Sequence, residues 1–333
     1  MKIGIIGSGF GLYGLLPAFK SVEGCEVSCI CGKKTKRLTD YCKSIGLKNI
    51  YSNWEEMLEN EDLDAIAIAV KPSAQYDIAK FAMKKGLNIF AEKPLTTNYK
   101  QSKELFDIAR KNKIIAALDF IFPEINEWQE VKHLVDSKKY GNLRHISVNW
   151  DFLSHDIKNN ISSWKSDIKE GGGALSFYFS HSLYYLEYYA GEILKINSSF
   201  YYSDNNKNGG ETGVDLVLKF KNGISGIAHI CCDATGMNRH QLIFSFEKAT
   251  IVLENNKDIA KNFTVKICTH DKEEKLIIKK DKSRKGEDER VVVVQKLASR
   301  FVQGCASGKQ VTPSFVHGVR VQKLIDVIKK QNN

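Results

Sequence analysis

Lys2-Ile3-Gly4-Ile5-Ile6-Gly7-Ser8-Gly9-Phe10-Gly11 opens the chain. Lys2–Gly7 is an apolar run of strand length, and glycines follow it at once. Leu12–Ser21 then has helical character, with Pro17 near its first turns. Glycines between the first strand and first helix of a βαβ unit permit a tight turn. They also let the backbone approach a dinucleotide pyrophosphate, which the helix N-terminus holds. Gly7, Gly9, Phe10 and Gly11 are therefore candidate cofactor contacts. The third glycine of a G-x-G-x-x-G pattern would fall at Leu12, and Gly11 or Gly14 stands in for it.

The alternation continues through the first third of the chain. Strands are expected at Glu26–Cys31, Ala65–Val70, Asn88–Ala91 and Lys113–Leu118. Helices are expected at Lys36–Ile45, Trp54–Glu59, Gln75–Lys85 and Lys100–Lys111, the last capped by Thr97 or Asn98. Strand-helix alternation implies a parallel sheet covered on both faces. After Pro123 the texture changes. A helix at Glu124–Ser137 leads into eight strand-like segments between Leu143 and Ile278, several joined by turns such as Lys221-Asn222-Gly223. Two helices, Arg290–Gly304 and Phe315–Lys330, close the chain. The expected fold is an α/β Rossmann domain over residues 1–122 plus an α+β domain over 123–333. The second domain carries a large, mostly antiparallel open-faced sheet, with the final helix free to pack back on the first domain.

Composition narrows the class. The chain has 333 residues, 43% of them hydrophobic and 26% charged, as in ordinary soluble globular proteins. Its longest apolar run, Ala65–Val70, is too short to span a bilayer. The first strand begins at residue 2, leaving no room for a signal peptide, so a cytoplasmic location is expected. The eight cysteines lack metal-site or disulfide spacing: Cys29 and Cys31 share a strand, and Cys231 and Cys232 are adjacent. They read as reduced thiols, with no metal. The net charge of +10 suits an anionic ligand. Its densest run, Lys279–Lys285, is diluted by Glu287, Asp288 and Glu289, and no nucleic-acid module is present.

The end of the second strand discriminates between nicotinamide cofactors. An NAD site usually places an acid there for the ribose hydroxyls. This chain reads Cys31-Gly32-Lys33-Lys34-Thr35-Lys36-Arg37, with no acid before Asp40. Gly32, Lys33 and Lys34 thus favour NADP(H), with NAD(H) as the alternative. Pro72 and Gln75, after the third strand, complete the candidate cofactor contacts together with Glu92 and Lys93. The last two belong to Ala91-Glu92-Lys93-Pro94-Leu95, at a strand's C-terminal end, where open α/β sheets bind ligands.

A third segment, Gly171-Gly172-Gly173-Ala174-Leu175, opens a probable helix that carries His181. The glycine turn, Glu92-Lys93-Pro94 and Gly-Gly-Gly…His together resemble the Gfo/Idh/MocA oxidoreductases, and the likeness covers nearly the whole chain. The resemblance implies NAD(P)-dependent hydride transfer on a sugar, with Lys93 and His181 as the catalytic pair flanking the substrate carbon. Asp119-Phe120-Ile121-Phe122-Pro123-Glu124 and the aromatic Gly-Gly-Gly helix are similar to members from surface-polysaccharide clusters, which act on free or nucleotide-linked sugars. Many relatives carry an Asp four residues before the His; here that position is Phe177. Three residues after the His, where an acid is common, stands Tyr184.

Helical spacing places Phe177, Tyr178, Tyr184, Tyr185 and Tyr188 on the face of His181. Phe120, Trp150, Trp164, Lys165, Phe177, Tyr178, Lys93 and His181 are the candidate substrate contacts. Read without the family, a histidine among tyrosines is a hydrogen-bonded core residue. With it, His181, whose reference pKa is about 6.5, exchanges the hydroxyl proton, and Lys93 polarises the oxygen. The competing reading, which Phe177 suggests, is a non-catalytic NAD(P)-binding sensor or scaffold. Family members commonly pair through the open sheet face, implying a homodimer or homotetramer here. The strand Ile227–Cys232, apolar on both faces, fits that.

Overall fold

The computed structural model describes residues 1–332. They form two compact units, Met1–Ile121 with Lys282–Gln322, and Phe122–Asp281 with Lys323 onward. The division does not follow a single cut near residue 122, because Lys282–Gln322 clusters with the N-terminal strands. Local bonds show why. Gln310 donates to Ile114 O at 2.5 Å and accepts from Ala116 N at 3.3 Å. Phe301, on the helix Val291–Ser307, meets Phe19 and Phe90 edge-on at 6.1 and 5.7 Å.

The first unit is built on six parallel strands: β1 (Lys2–Ile6), β2 (Glu26–Cys31), β3 (Asn49–Tyr51), β4 (Ala65–Ile68), β5 (Asn88–Ala91) and β6 (Ala116–Leu118). Their order is β3-β2-β1-β4-β5-β6. The order reverses between β1 and β4, and that switch point opens a crevice at the strands' C-terminal ends. Ala65–Ile68 is buried at every position, as a strand covered on both faces must be. Two details depart from the sequence reading. β3 was not anticipated, and β6 is three residues long, not six. Asn98, not Thr97, caps the helix Tyr99–Lys111 by accepting from Gln101 N.

The second unit holds eight strands: β7 (Leu143–Asp151), β8 (Ile193–Tyr201), β9 (Gly213–Phe220), β10 (Ser225–Cys231), β11 (Arg239–Phe246), β12 (Thr250–Asn255), β13 (Thr264–Cys268) and β14 (Glu273–Lys275). Their order is β14-β13-β12-β11-β7-β10-β9-β8, and among the described residues only the β7–β10 pair is parallel. Burial alternates along β9, β10 and β11, so one face is covered and the other open. The strand expected at Lys275–Ile278 ends at Lys275. The helix Ser180–Ala190, which carries His181, starts through a π-helical turn at Leu175–Phe179.

Candidate active site

The glycine turn stands at the switch point, at the C-terminal end of β1. Gly7 has φ +126°, and a Cβ there would lie 2.2 Å from Ala69 O. Only glycine fits between β1 and the end of β4. Gly9 is the opposite case: a Cβ there would meet nothing within 4 Å. Space therefore lies open above the middle of the turn, as a diphosphate cradle requires. Gly11 begins the helix, and a Cβ there would press on Ile5 at 3.3 Å, so it performs the close helix–strand packing of a third glycine. Gly14 instead makes room for the Phe10 ring, which a Cβ would meet at 2.3 Å.

At the end of β2 a Cβ on Gly32 would strike Ser8 Cβ at 2.6 Å, which joins the two turns. Lys33 and Lys34 are exposed. Thr35 is engaged as the N-cap of the helix Lys36–Ser44, accepting from Leu38 N at 3.2 Å. Arg37 lies over the Tyr13 ring at 5.4 Å. This corner carries four basic side chains and no acid before Asp40.

Ala91-Glu92-Lys93-Pro94-Leu95 leaves β5 at the same edge of the sheet, and its Lys93–Pro94 peptide is cis. Gln75, buried on the helix Pro72–Lys84, fixes the loop from below. Its Nε2 donates to Glu92 O, Pro94 O and Leu95 O at 2.7, 3.2 and 3.0 Å. Gln75 therefore acts first as a strut for the lysine loop. Glu92 Oε2 accepts from Lys93 N at 3.1 Å. Phe120 is buried at 1% exposure.

Three residues, two in this unit and one in the second, were missed by the sequence reading. Asp119 follows β6, and its carboxyl is held well above the usual range. Burial is the largest cause, and Glu92 adds its charge and a hydrogen bond. Arg290 lies over the Phe10 ring at 4.4 Å, clamped by Asp288 at 2.8 and 2.7 Å. Burial works against its charge, but the Asp288 contacts outweigh that and raise its pKa. The third is Glu211, in the second unit. No local signal marks Asp119, Glu211 or the approach of Arg290 to Phe10, because these contacts span long sequence separations.

In the second unit His181 is buried beside Phe122, with ring centroids 4.9 Å apart. Phe122 also meets Trp150 at 5.4 Å, and Trp150 stacks on His240 at 4.4 Å and 4°. The chain of rings continues through Phe152 and Tyr178 to Phe177 and Trp164, with Lys165 Nζ 5.1 Å above Phe177. The predicted set Trp150, Trp164, Lys165, Phe177, Tyr178 and His181 thus belongs to one aromatic cluster. Within it Trp150 is mostly committed to His240. Tyr178 is half-buried, and its desolvation raises its pKa.

The Gly-Gly-Gly segment is a packing device. A Cβ on Gly172 would lie 2.2 Å from Trp164 O, and one on Gly173 (φ +120°) 2.3 Å from the Glu211 carboxylate. Glu211 Oε1 accepts from Leu175 N at 2.9 Å, so a buried acid from the strand side caps the helix that carries His181. Among the described residues no group of His, Cys, Asp and Glu could hold a metal ion, and no helix is long and apolar enough to cross a membrane.

Comparison with known proteins agrees with this architecture. Residues 1–120 match the family model of the GFO/IDH/MocA oxidoreductases, NAD-binding Rossmann fold, and residues 128–252 match the GFO/IDH/MocA C-terminal domain. An uncharacterized oxidoreductase of Synechocystis is 29% identical, covering 99% of this chain and 93% of that protein. A levoglucosan dehydrogenase in complex with NADH and levoglucosan shares the fold, with TM-score 0.86, 18% identity and coverage of 99% and 96%. So does a 3-ketoreductase from Actinomadura kijaniata in complex with TDP-benzene and NADP, with TM-score 0.79, 18% identity and coverage of 100% and 98%.

Proposed function

The chain belongs to the GFO/IDH/MocA oxidoreductase family, and from that premise we propose that it moves a hydride between a nicotinamide cofactor and a hydroxyl or keto carbon of a sugar or nucleotide-linked sugar. The observation that carries this is the open space above Gly9, at the sheet edge that also presents the Glu92-Lys93 loop. Bound there, the nicotinamide supplies the hydride chemistry. The chain's own groups bind and orient. Gly7, Gly9 and Gly11 shape the turn, and the N-terminal N–H groups of the following helix would hold the cofactor's diphosphate. Lys33 and Lys34, with no competing acid, favour a 2′-phosphate and hence NADP(H). Lys93 polarises the reacting oxygen, and His181 exchanges its proton.

Two proteins of the same fold support the substrate class: one is in complex with levoglucosan and the other with TDP-benzene. The net charge of +10 supports an anionic nucleotide sugar. The eight cysteines are all free, in keeping with a cytoplasmic protein. On the open sheet face Val217 and Ile227 are exposed beside His229, whose ring nitrogens lie 2.6 and 3.0 Å from Asp215 and Asp151. A second copy of the chain covers that face in a homodimer or larger homo-oligomer.

The test is nicotinamide absorbance with NADPH and NADH against free and nucleotide-linked sugars. Lys93→Ala and His181→Ala are expected to abolish turnover while retaining NADPH binding. Undiminished turnover in Lys93→Ala would refute the assignment. Binding without turnover on any sugar would favour the sensor reading, for which Phe177 is the sequence argument.

A further inference from the structure

Two carboxyl groups, those of Asp119 and Glu92, meet in the first unit. The N–H of Asp119 donates to Ala91 O at 2.9 Å, tying the end of β6 to the end of β5. Its side chain is 2% exposed and in hydrogen-bonding contact with the Glu92 carboxyl. Asp119 Oδ1 has no hydrogen-bond partner among the described residues. The other charged groups facing Asp119 are Lys93, from the Glu92 loop, and Arg290, from the head of the helix Val291–Ser307. Arg290 is already committed to Asp288 in two bonds and to the Phe10 ring. A carboxylate buried without its own cation is costly, and two carboxyl groups in contact do not both ionise.

We propose that Asp119 is a positioning residue of the Glu92-Lys93-Pro94 loop: it keeps the pair's single proton and donates it to Glu92, leaving one negative charge that faces Lys93 and Arg290. Burial and the Glu92 charge both act in this direction, while Lys93 and Arg290 oppose it. With the proton in place, Glu92 stays fixed from one side by Asp119 and from the other by Lys93 N–H. Loss of the proton sets two negative charges in contact under the lysine. The consequence for cofactor binding rests on the functional reading above; the proton itself does not.

Asp119→Asn keeps the donor and the neutral charge, whereas Asp119→Ala removes the donor. The full-length wild type and both variants are compared by thermal denaturation across pH and by NADPH fluorescence titration. An unfolded aspartate ionises at about 3.9, below the native Asp119. Wild-type stability should therefore fall relative to Asp119→Asn as pH rises above about 4, widening a gap in the variant's favour until the native group ionises. A gap that widens the other way shows an ionised, paired Asp119 and overturns the proposal. Carbon-13 NMR of aspartate-labelled wild-type protein decides the same point if the variant does not fold. One aspartate should remain protonated at pH 7, and none doing so overturns it. At pH 7 NADPH binding should be retained in Asp119→Asn and weakened by about tenfold in Asp119→Ala. Equal binding in the two variants removes the positioning role. Binding of NADPH to none of the three proteins sinks the cofactor reading and leaves the proton result standing.

Discussion

Gly9 and Gly7 lie two residues apart in one turn and should separate ligand binding from folding. An added methyl at Gly9 meets no protein atom within 4 Å. Gly9→Ala should therefore change stability by no more than about 0.5 kcal/mol. On the proposed cofactor reading, the same methyl would stand between a bound diphosphate and the helix N–H groups. Losing one such hydrogen bond to a charged group costs about 1.5–3 kcal/mol, or about 10- to 100-fold in Kd. Gly7→Ala is the control. It combines a φ of +126° with a backbone oxygen 2.2 Å from the new carbon. Strain and overpacking together cost about 2–4 kcal/mol. That lowers Tm by about 5–15 °C in a unit of this size. The assays are differential scanning calorimetry without cofactor and fluorescence titration with NADPH and NADH. A folded Gly9→Ala that binds both cofactors like the wild type refutes the cradle. A Gly9→Ala protein destabilised as much as Gly7→Ala refutes the open space.

Two further outcomes concern the second unit. Burial pushes His240 down to about 3, while the unfolded residue takes up its proton at about 6.5. Stability from this residue is complete above pH 6.5 and is lost as pH falls toward 3, at about 1.4 kcal/mol per pH unit. Urea denaturation at pH 7 and 4.5 should show a loss of about 2–3 kcal/mol in the wild type that His240→Gln lacks. Glu211→Ala should cost about 2–4 kcal/mol by orphaning the Leu175 N–H and opening a void beside Gly173. Glu211→Gln, which keeps an acceptor, should recover about half of that loss by the same measurement.

The alternating architecture of the first unit was legible because its signals are local. An apolar strand followed by glycines, and helices with caps at Thr35, Asn53 and Asn98, need no distant partner. The misses lie at sheet margins. Among the described residues Asn49–Tyr51 pairs only with β2, and Glu273–Lys275 only with β13. Such short edge strands exist through pairing, and their pattern is too brief to read. In the site, Gln75 was visible as a residue after β4, but its three bonds under the lysine loop were not. Asp119, Glu211 and Arg290 were invisible for a deeper reason. A buried acid and a surface acid have the same letter, and only the fold brings Arg290 over Phe10 or Glu211 to Leu175.

The two glycine clusters look equivalent in sequence, and each feeds a helix that begins with a π turn, at Gly11–Leu15 and at Leu175–Phe179. Their surroundings differ in kind. Around Gly172 and Gly173 every missing Cβ is replaced by protein, namely Trp164 O, the Lys165 backbone and the Glu211 carboxylate. Around Gly9 it is replaced by nothing. The first cluster therefore leaves its middle position open, and the second is packed against the chain ahead of the helix that bears His181. Ligand affinity should then respond directly to bulk at Gly9. At Gly172 or Gly173 bulk should act through stability and the aim of His181, with cofactor affinity little changed.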